Sequence, residues 1–170
     1  MARGADSGKD QGEFVEVAGT AGTDLSGWEL IAYNGKNGNS YKTVGLSGTI
    51  PDQQNGFGTI SVLFSKLQNG APDGIALVDD TGTVIEFLSY EGNFTASDGP
   101  ASGMNSVDIG VSEPSSTSAG NSLQRVGTGN QASDFSWSGP SNDSPGSVNS
   151  GQSFSAAVLR AQVSARLSRQ

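Results

Sequence analysis

Carboxylates set at short intervals are the first chemistry this sequence offers. Asp6, Asp10 and Glu13 stand in ADSGKDQGE, with Ser7, Gly8 and Gly12 between them. A hard cation such as Ca²⁺ wants several carboxylate and carbonyl oxygens on a backbone able to wrap it, so these three residues are the candidate calcium ligands. Their spacing is not that of the EF-hand loop, where ligands alternate and end in a bidentate Glu, and a solvated acidic loop is the competing reading. A second pair of carboxylates, Glu86 and Glu91, flanks Tyr90. Such a pair can serve as general acid and base, but the strand period predicts both on an outer surface and nothing places them across a cleft. No catalytic residue and no cofactor-binding residue is therefore expected. Trp28 and Trp137 could act as stacking platforms for a ligand, whereas strand alternation at Trp28 favours inward packing between two sheets. Asn93-Phe94-Thr95 and Asn142-Asp143-Ser144 fit the N-glycosylation pattern, which matters only in a glycosylating pathway.

The residues that are missing exclude more than those present suggest. The chain has no Cys and no His. Disulfides, thiolate zinc sites, Cys nucleophiles, Ser/His/Asp constellations and the usual imidazole base are all removed. The formal charge is -8, from 17 acidic and 9 basic residues. Nucleic-acid affinity grows from a basic surface that releases counterions, so direct binding to a phosphate backbone is not expected. Three of the arginines, Arg160, Arg166 and Arg169, sit in the segment from Ser155 onward, which has no acids; the body without it carries a charge of -11. Acidic β-rich bodies suit extracellular solubility or divalent cations, although a merely solvated acidic surface is the commoner cause. No apolar run is long enough to span a bilayer, and MARGADSGKD lacks the apolar core of a secretory signal, so no signal peptide is expected in this chain.

Elements must position whatever these groups do, and the composition predicts β-strands. Hydrophobic residues make up 34% of the 170-residue chain and 25 Gly and 6 Pro punctuate it, a balance suited to short strands separated by turns within one domain. The expected strands are Glu13 to Ala18, Trp28 to Tyr33, Tyr41 to Leu46, Phe57 to Phe64, Gly74 to Asp79, Thr83 to Tyr90, Leu123 to Val126 and Phe135 to Trp137. In DLSGWELIAY, Asp24 and Ser26 close a side-chain turn that launches Trp28, Leu30 and Ala32 onto one face. The plainest hairpin joins GIALVD to TVIEFLSY through Asp80-Thr81-Gly82, with Asp79 and Asp80 as turn formers. Glu91 to Asn121 reads as a long irregular connection that either carries function or covers a sheet edge. Ala156, Leu159, Val163 and Leu167 recur at helical spacing, so a short amphipathic C-terminal helix is expected, one that docks on its own domain, pairs with another chain or frays more often than it touches a membrane.

The order of these pieces resembles the lamin-tail domain, an immunoglobulin-like antiparallel β-sandwich found in nuclear lamins and in secreted bacterial proteins. The residues that carry the likeness are EFVEV at Glu13 to Val17, DLSGW at Asp24 to Trp28, PDGIALVDDTGTVIEFLSYEG from Pro72 to Gly92, SLQR at Ser122 to Arg125 and SPGSVN from Ser144 to Asn149. The phrases NGFGTISV, QNGAPDGIALVD and FLSYEGNFTASDGPA are similar to the bacterial branch, in which the domain is often joined to a secreted nuclease or another exported enzyme. The resemblance implies an all-β sandwich over residues 12–154, preceded by a truncated lead at 1–11 and followed by an amphipathic tail at 155–170. It also implies an exported origin. The family's usual opening strand is missing before EFVEV, so a neighbouring edge is expected to lie open or to be filled by the tail or by a second copy through edge-strand self-association.

The sequence supports three functional readings. The first is a non-catalytic binding or structural module of an exported bacterial protein, meeting a protein or extracellular ligand through loops 35–40 and 91–121. The second is the accessory-domain fragment of a secreted endonuclease, and the third a calcium-stabilised adhesion module.

Overall fold

Local turn chemistry acts at two points of the chain, before Glu29 and between Val78 and Val84. The Asp24 carboxylate accepts from the Ser26 N–H at 2.9 Å and the Ser26 hydroxyl at 2.7 Å, and the Asp79 carboxylate accepts from the N–H groups of Thr81 at 2.9 Å and Thr83 at 2.8 Å. Both carboxylates are drawn below their ordinary pKa, chiefly by the neighbouring hydroxyl, Ser26 for Asp24 and Thr81 for Asp79. The computed structural model describes residues 3–4, 12–68, 71–114 and 116–156. Its strands are β1 (Arg3–Gly4), β2 (Phe14–Thr20), β3 (Glu29–Asn34), β4 (Asn39–Gly45), β5 (Phe57–Leu63), β6 (Asp73–Val78), β7 (Val84–Tyr90), β8 (Val107–Asp108), β9 (Asn121–Gly129), β10 (Phe135–Asn142) and β11 (Gln152–Phe154), with a 3-10 turn at Ala132–Asp134. The chain is an all-β sandwich, as its composition predicts. One sheet runs β10-β9-β1-β2-β5, with β11 added in parallel to β9, and the other runs β4-β3-β6-β7-β8.

The core between the sheets comes from period-two alternation. Val15 and Val17 of β2 oppose Val62 and Ile60 of β5, and they meet Leu30, Ala32, Ile75 and Leu77 from the second sheet over the fully buried Phe64. Trp28 packs against the same cluster while half-buried.

The second sheet is buried on its other face as well. Ile31, Tyr33, Ala76, Val78 and Phe87 form a separate cluster, covered by Phe94, Ala96 and Ala101. Strands buried on both faces read as near-continuous apolar runs, which is why ELIAY and GIALV lack a polar side. The segment after Glu91 thus covers a sheet face with Phe94, Ala96 and Ala101, and through β8, which pairs with Leu88 and Ser89 of β7, it covers part of the sheet edge as well. Phe94 meets Phe87 edge-on at 5.4 Å between ring centroids, and Phe87 tilts against Tyr33 at 5.2 Å. Gly74 makes this fit: a Cβ there would stand 2.6 Å from the Leu88 carbonyl oxygen and 3.0 Å from the Phe94 ring.

The slot expected to lie open beside β2 is filled by β1. Arg3 pairs with Val15 on one side and Leu123 on the other, and Gly4 pairs with Ser122. This position is not an edge, because β1 sits between β2 and β9 and the sheet ends at β10 and β5. β11 takes the far end of the same slot, Gln152 to Phe154 against Gly127 to Gly129. Beside β11 lies a cavity of about 110 Å³ lined by Glu16, Val17, Leu77, Glu86, Arg125 and Gln152, among others. The helix expected over 155–170 lies, beyond Ala156, outside the described residues.

Candidate functional site

Two connections singled out in the sequence meet in space. The β3–β4 turn around Lys36 and the covering segment around Ser97 are tied by backbone and side chain: Ser97 N–H donates to the Gly38 carbonyl at 2.8 Å, Ser40 N–H to the Asp98 carboxylate at 2.7 Å, and the Ser97 hydroxyl to the Asn37 carbonyl at 3.1 Å. The Ser97 hydroxyl also contacts the Asn39 side-chain oxygen. Gly38 allows the approach. Its φ is +75°, and a Cβ there would lie 2.4 Å from the Thr95 carbonyl oxygen, so a side chain would drive the two segments apart. Lys36, Asn37, Asn39, Asp98 and Ser102 remain exposed on the joined surface. Asn93 of the first glycosylation pattern is exposed beside it, while Thr95 bonds to the Asn105 side chain at 2.5 Å. Polar groups fixed in this way have little conformational freedom left to lose.

The candidate metal residues fare differently. Asp6 and Asp10 lie outside the described residues. Glu13 is buried, and its carboxylate accepts the Leu67 N–H at 3.0 Å, so it tethers the segment after β5 to the start of β2. Among the described residues no three acidic side chains gather to hold a metal.

Glu86 is not on the outer surface where its strand period was expected to put it. Its register partner is Leu77, an inner-face residue, and its carboxylate pairs with the Arg125 guanidinium from the opposite sheet. The error has a physical cause: with both faces of the strand carrying apolar residues, alternation alone cannot say which face is inside. Glu91, by contrast, is exposed, with a φ of +62°. The two carboxylates therefore do not share a site. Arg125 also lies 5.1 Å from the centre of the Trp137 ring, a cation–π contact that leaves the indole half-buried at the mouth between the sheets.

Sequence reasoning missed Glu16. It lies on the face of β2 opposite Val15 and Val17 yet is 2% exposed, and its carboxylate accepts the Gly146 N–H at 2.8 Å. Burial pushes its pKa above the ordinary value, against the pull of that hydrogen bond. Only the packing of the SPGSVN segment over β2 reveals it.

These residues make a fixed polar surface, a bridge between sheets and a buried acid. Comparison with protein-family models, with curated proteins and with solved structures finds no match to this chain.

Proposed function

We propose that this chain is a non-catalytic, lamin-tail-like module of an exported bacterial protein, which binds or positions a partner through the joined loops at 35–40 and 91–106. The single observation that carries the reading is the clasp of Gly38, Asn39 and Ser40 against Ser97 and Asp98, which fixes exposed polar groups on a rigid sandwich. The order of the quoted motifs from Glu13 to Asn149 supports the family likeness. The partner is a protein or an extracellular polymer rich in hydrogen-bonding groups, since the joined surface offers amides, hydroxyls, Lys36 and Asp98 rather than an apolar pocket.

Immobilised chain tested against secreted proteins and cell-surface polymers should retain a partner, and Lys36→Glu should abolish retention while Thr20→Lys, on an exposed position of β2, leaves it intact. Equal retention by both variants overturns the assignment to the loops. Cleavage of plasmid DNA by the purified chain with Mg²⁺ or Ca²⁺ overturns the non-catalytic reading.

A further inference from the structure

A strand at the end of a sheet offers unpaired backbone groups to any passing strand, and sequences usually block that contact with Pro, Lys or a very short strand. Three of the four end strands here are blocked in this way: β10 contains Pro140, β4 contains Lys42 and β8 is two residues long. The fourth, β5, is not. It reads FGTISVL over seven residues, with no Pro and no charge, in a chain whose formal charge is -8. Leu63 at its end is 77% exposed, more than any other large hydrophobic residue described.

The hydrogen bonds around β5 show which of its backbone groups are open. Phe64 N–H donates to the Glu13 carbonyl at 2.8 Å, so Ile60, Val62 and Phe64 turn their backbone groups toward β2, while Thr59, Ser61 and Leu63 turn theirs outward. The Phe57 end of that outer side is already occupied. Gln53 and Gln54 N–H both donate to the Phe57 carbonyl at 2.9 Å, and Thr59 N–H donates to the Gln53 side-chain oxygen at 3.0 Å. Among the described residues no group bonds to the backbone N–H or carbonyl of Ser61 or Leu63. Two donors and two acceptors alternating along one edge are matched by an extended strand.

We propose that β5 pairs antiparallel with β5 of a second copy of this chain, about a twofold axis through Val62. Ser61 of each copy then stands opposite Leu63 of the other, and the two pairs exchange four backbone hydrogen bonds. What is open fixes the register: an axis through Ser61 would set Leu63 against Thr59, whose N–H is held by Gln53. Each Leu63 side chain covers Ser61 of the other copy and loses part of its exposure to water. The charges at the two ends of the edge also agree with antiparallel pairing. Exposed Lys66 follows the Leu63 end and exposed Asp52 stands in the loop at the Phe57 end, so the Lys66 of one copy approaches the Asp52 of the other. This edge is distinct from the slot beside β2 that β1 fills, and the pairing does not depend on what the joined loops bind.

Because the chain has no cysteine, introduced thiols report the register. Opposed residues of a hydrogen-bonded antiparallel pair lie about 5.5 Å apart between Cα atoms, within the roughly 4.4–6.8 Å that a disulfide spans. A Ser61→Cys chain mixed with an equal amount of a Leu63→Cys chain and oxidised should link unlike chains in preference to like ones, and a Met104→Cys chain should stay unlinked. Equal or greater linkage of like chains overturns the proposal, as does equal linkage through Met104→Cys. Sedimentation of the unaltered chain is the second readout, because a contact of this size is weak and shows only as concentration rises. The weight-average mass should climb toward that of a dimer, and Leu63→Lys, at an exposed position, should remain monomeric with an unchanged melting temperature in dilute solution. A parent chain that stays monomeric up to millimolar concentration leaves the edge to a foreign strand and overturns the proposal, as does undiminished association of Leu63→Lys.

Discussion

Glu16 shows what burial does to a single ionisable group. Removal from water is the largest influence on its carboxyl and raises the pKa; the Gly146 N–H and the Thr59 hydroxyl partly offset it. The native state therefore favours the protonated acid, whereas unfolding returns the group to its ordinary value. As pH rises through the ordinary carboxylate range toward the raised folded value, stability is lost, and it is fully present only below that range. Glu16→Gln keeps an oxygen for the Gly146 N–H and removes the charge. It should be more stable than the parent at pH 7 by about 1 kcal/mol, the size of a single burial or hydrogen-bond effect, with the difference closing by pH 4 in urea unfolding. Other carboxylates were legible in the sequence because their partners are local. Asp24 and Asp79 bond within four residues of themselves, as their turn-forming positions suggest. Glu86 depends on Arg125, 39 positions away, and no local pattern announces that pair.

At the scale of elements, the sandwich relies on a strand too short for a sequence pattern to reveal. β1 is two residues long, yet it joins β2 to β9, and β11 closes the rest of the slot with three residues. Period-two alternation needs more length than that to be seen. The longer strands are legible, most clearly the hairpin of β6 and β7, where apolar runs flank a short turn. The covering segment after β7 depends on a close approach that only Gly74 permits. Gly74→Ala would force Phe94 and the Leu88 backbone apart, and such overpacking costs about 1–3 kcal/mol. The expected outcome is a lower melting temperature with faster amide exchange across residues 94–106, measured by hydrogen exchange; unchanged exchange there would separate the covering segment from the Phe94 contact.

For the whole molecule, both apolar clusters use opposite faces of the same strands. Leu30, Ala32, Ile75 and Leu77 look into the sandwich, while Ile31, Tyr33, Ala76 and Val78 look toward the covering segment. Loss of either cluster strips a face from β3 and β6, so the two should melt together. Calorimetric and van't Hoff enthalpies should agree, and Phe64→Ala and Phe94→Ala should each move one common transition rather than split it. Two resolved transitions would mean that the covering segment unfolds as a separate unit.

Apolar alternation, turn residues and the absence of Cys and His determined by themselves that this chain builds paired β-strands and lacks imidazole and thiol chemistry. Those properties are written in neighbouring residues, which local sterics and hydrogen bonding read directly. Tertiary structure alone decided that Glu86 turns inward to Arg125, that Glu16 is buried, that Arg3 and Gly4 complete a sheet, and that loops 35–40 and 91–106 form one surface. Each of these depends on which distant segment covers a given face, and that is settled by packing and the satisfaction of buried polar groups across the whole fold.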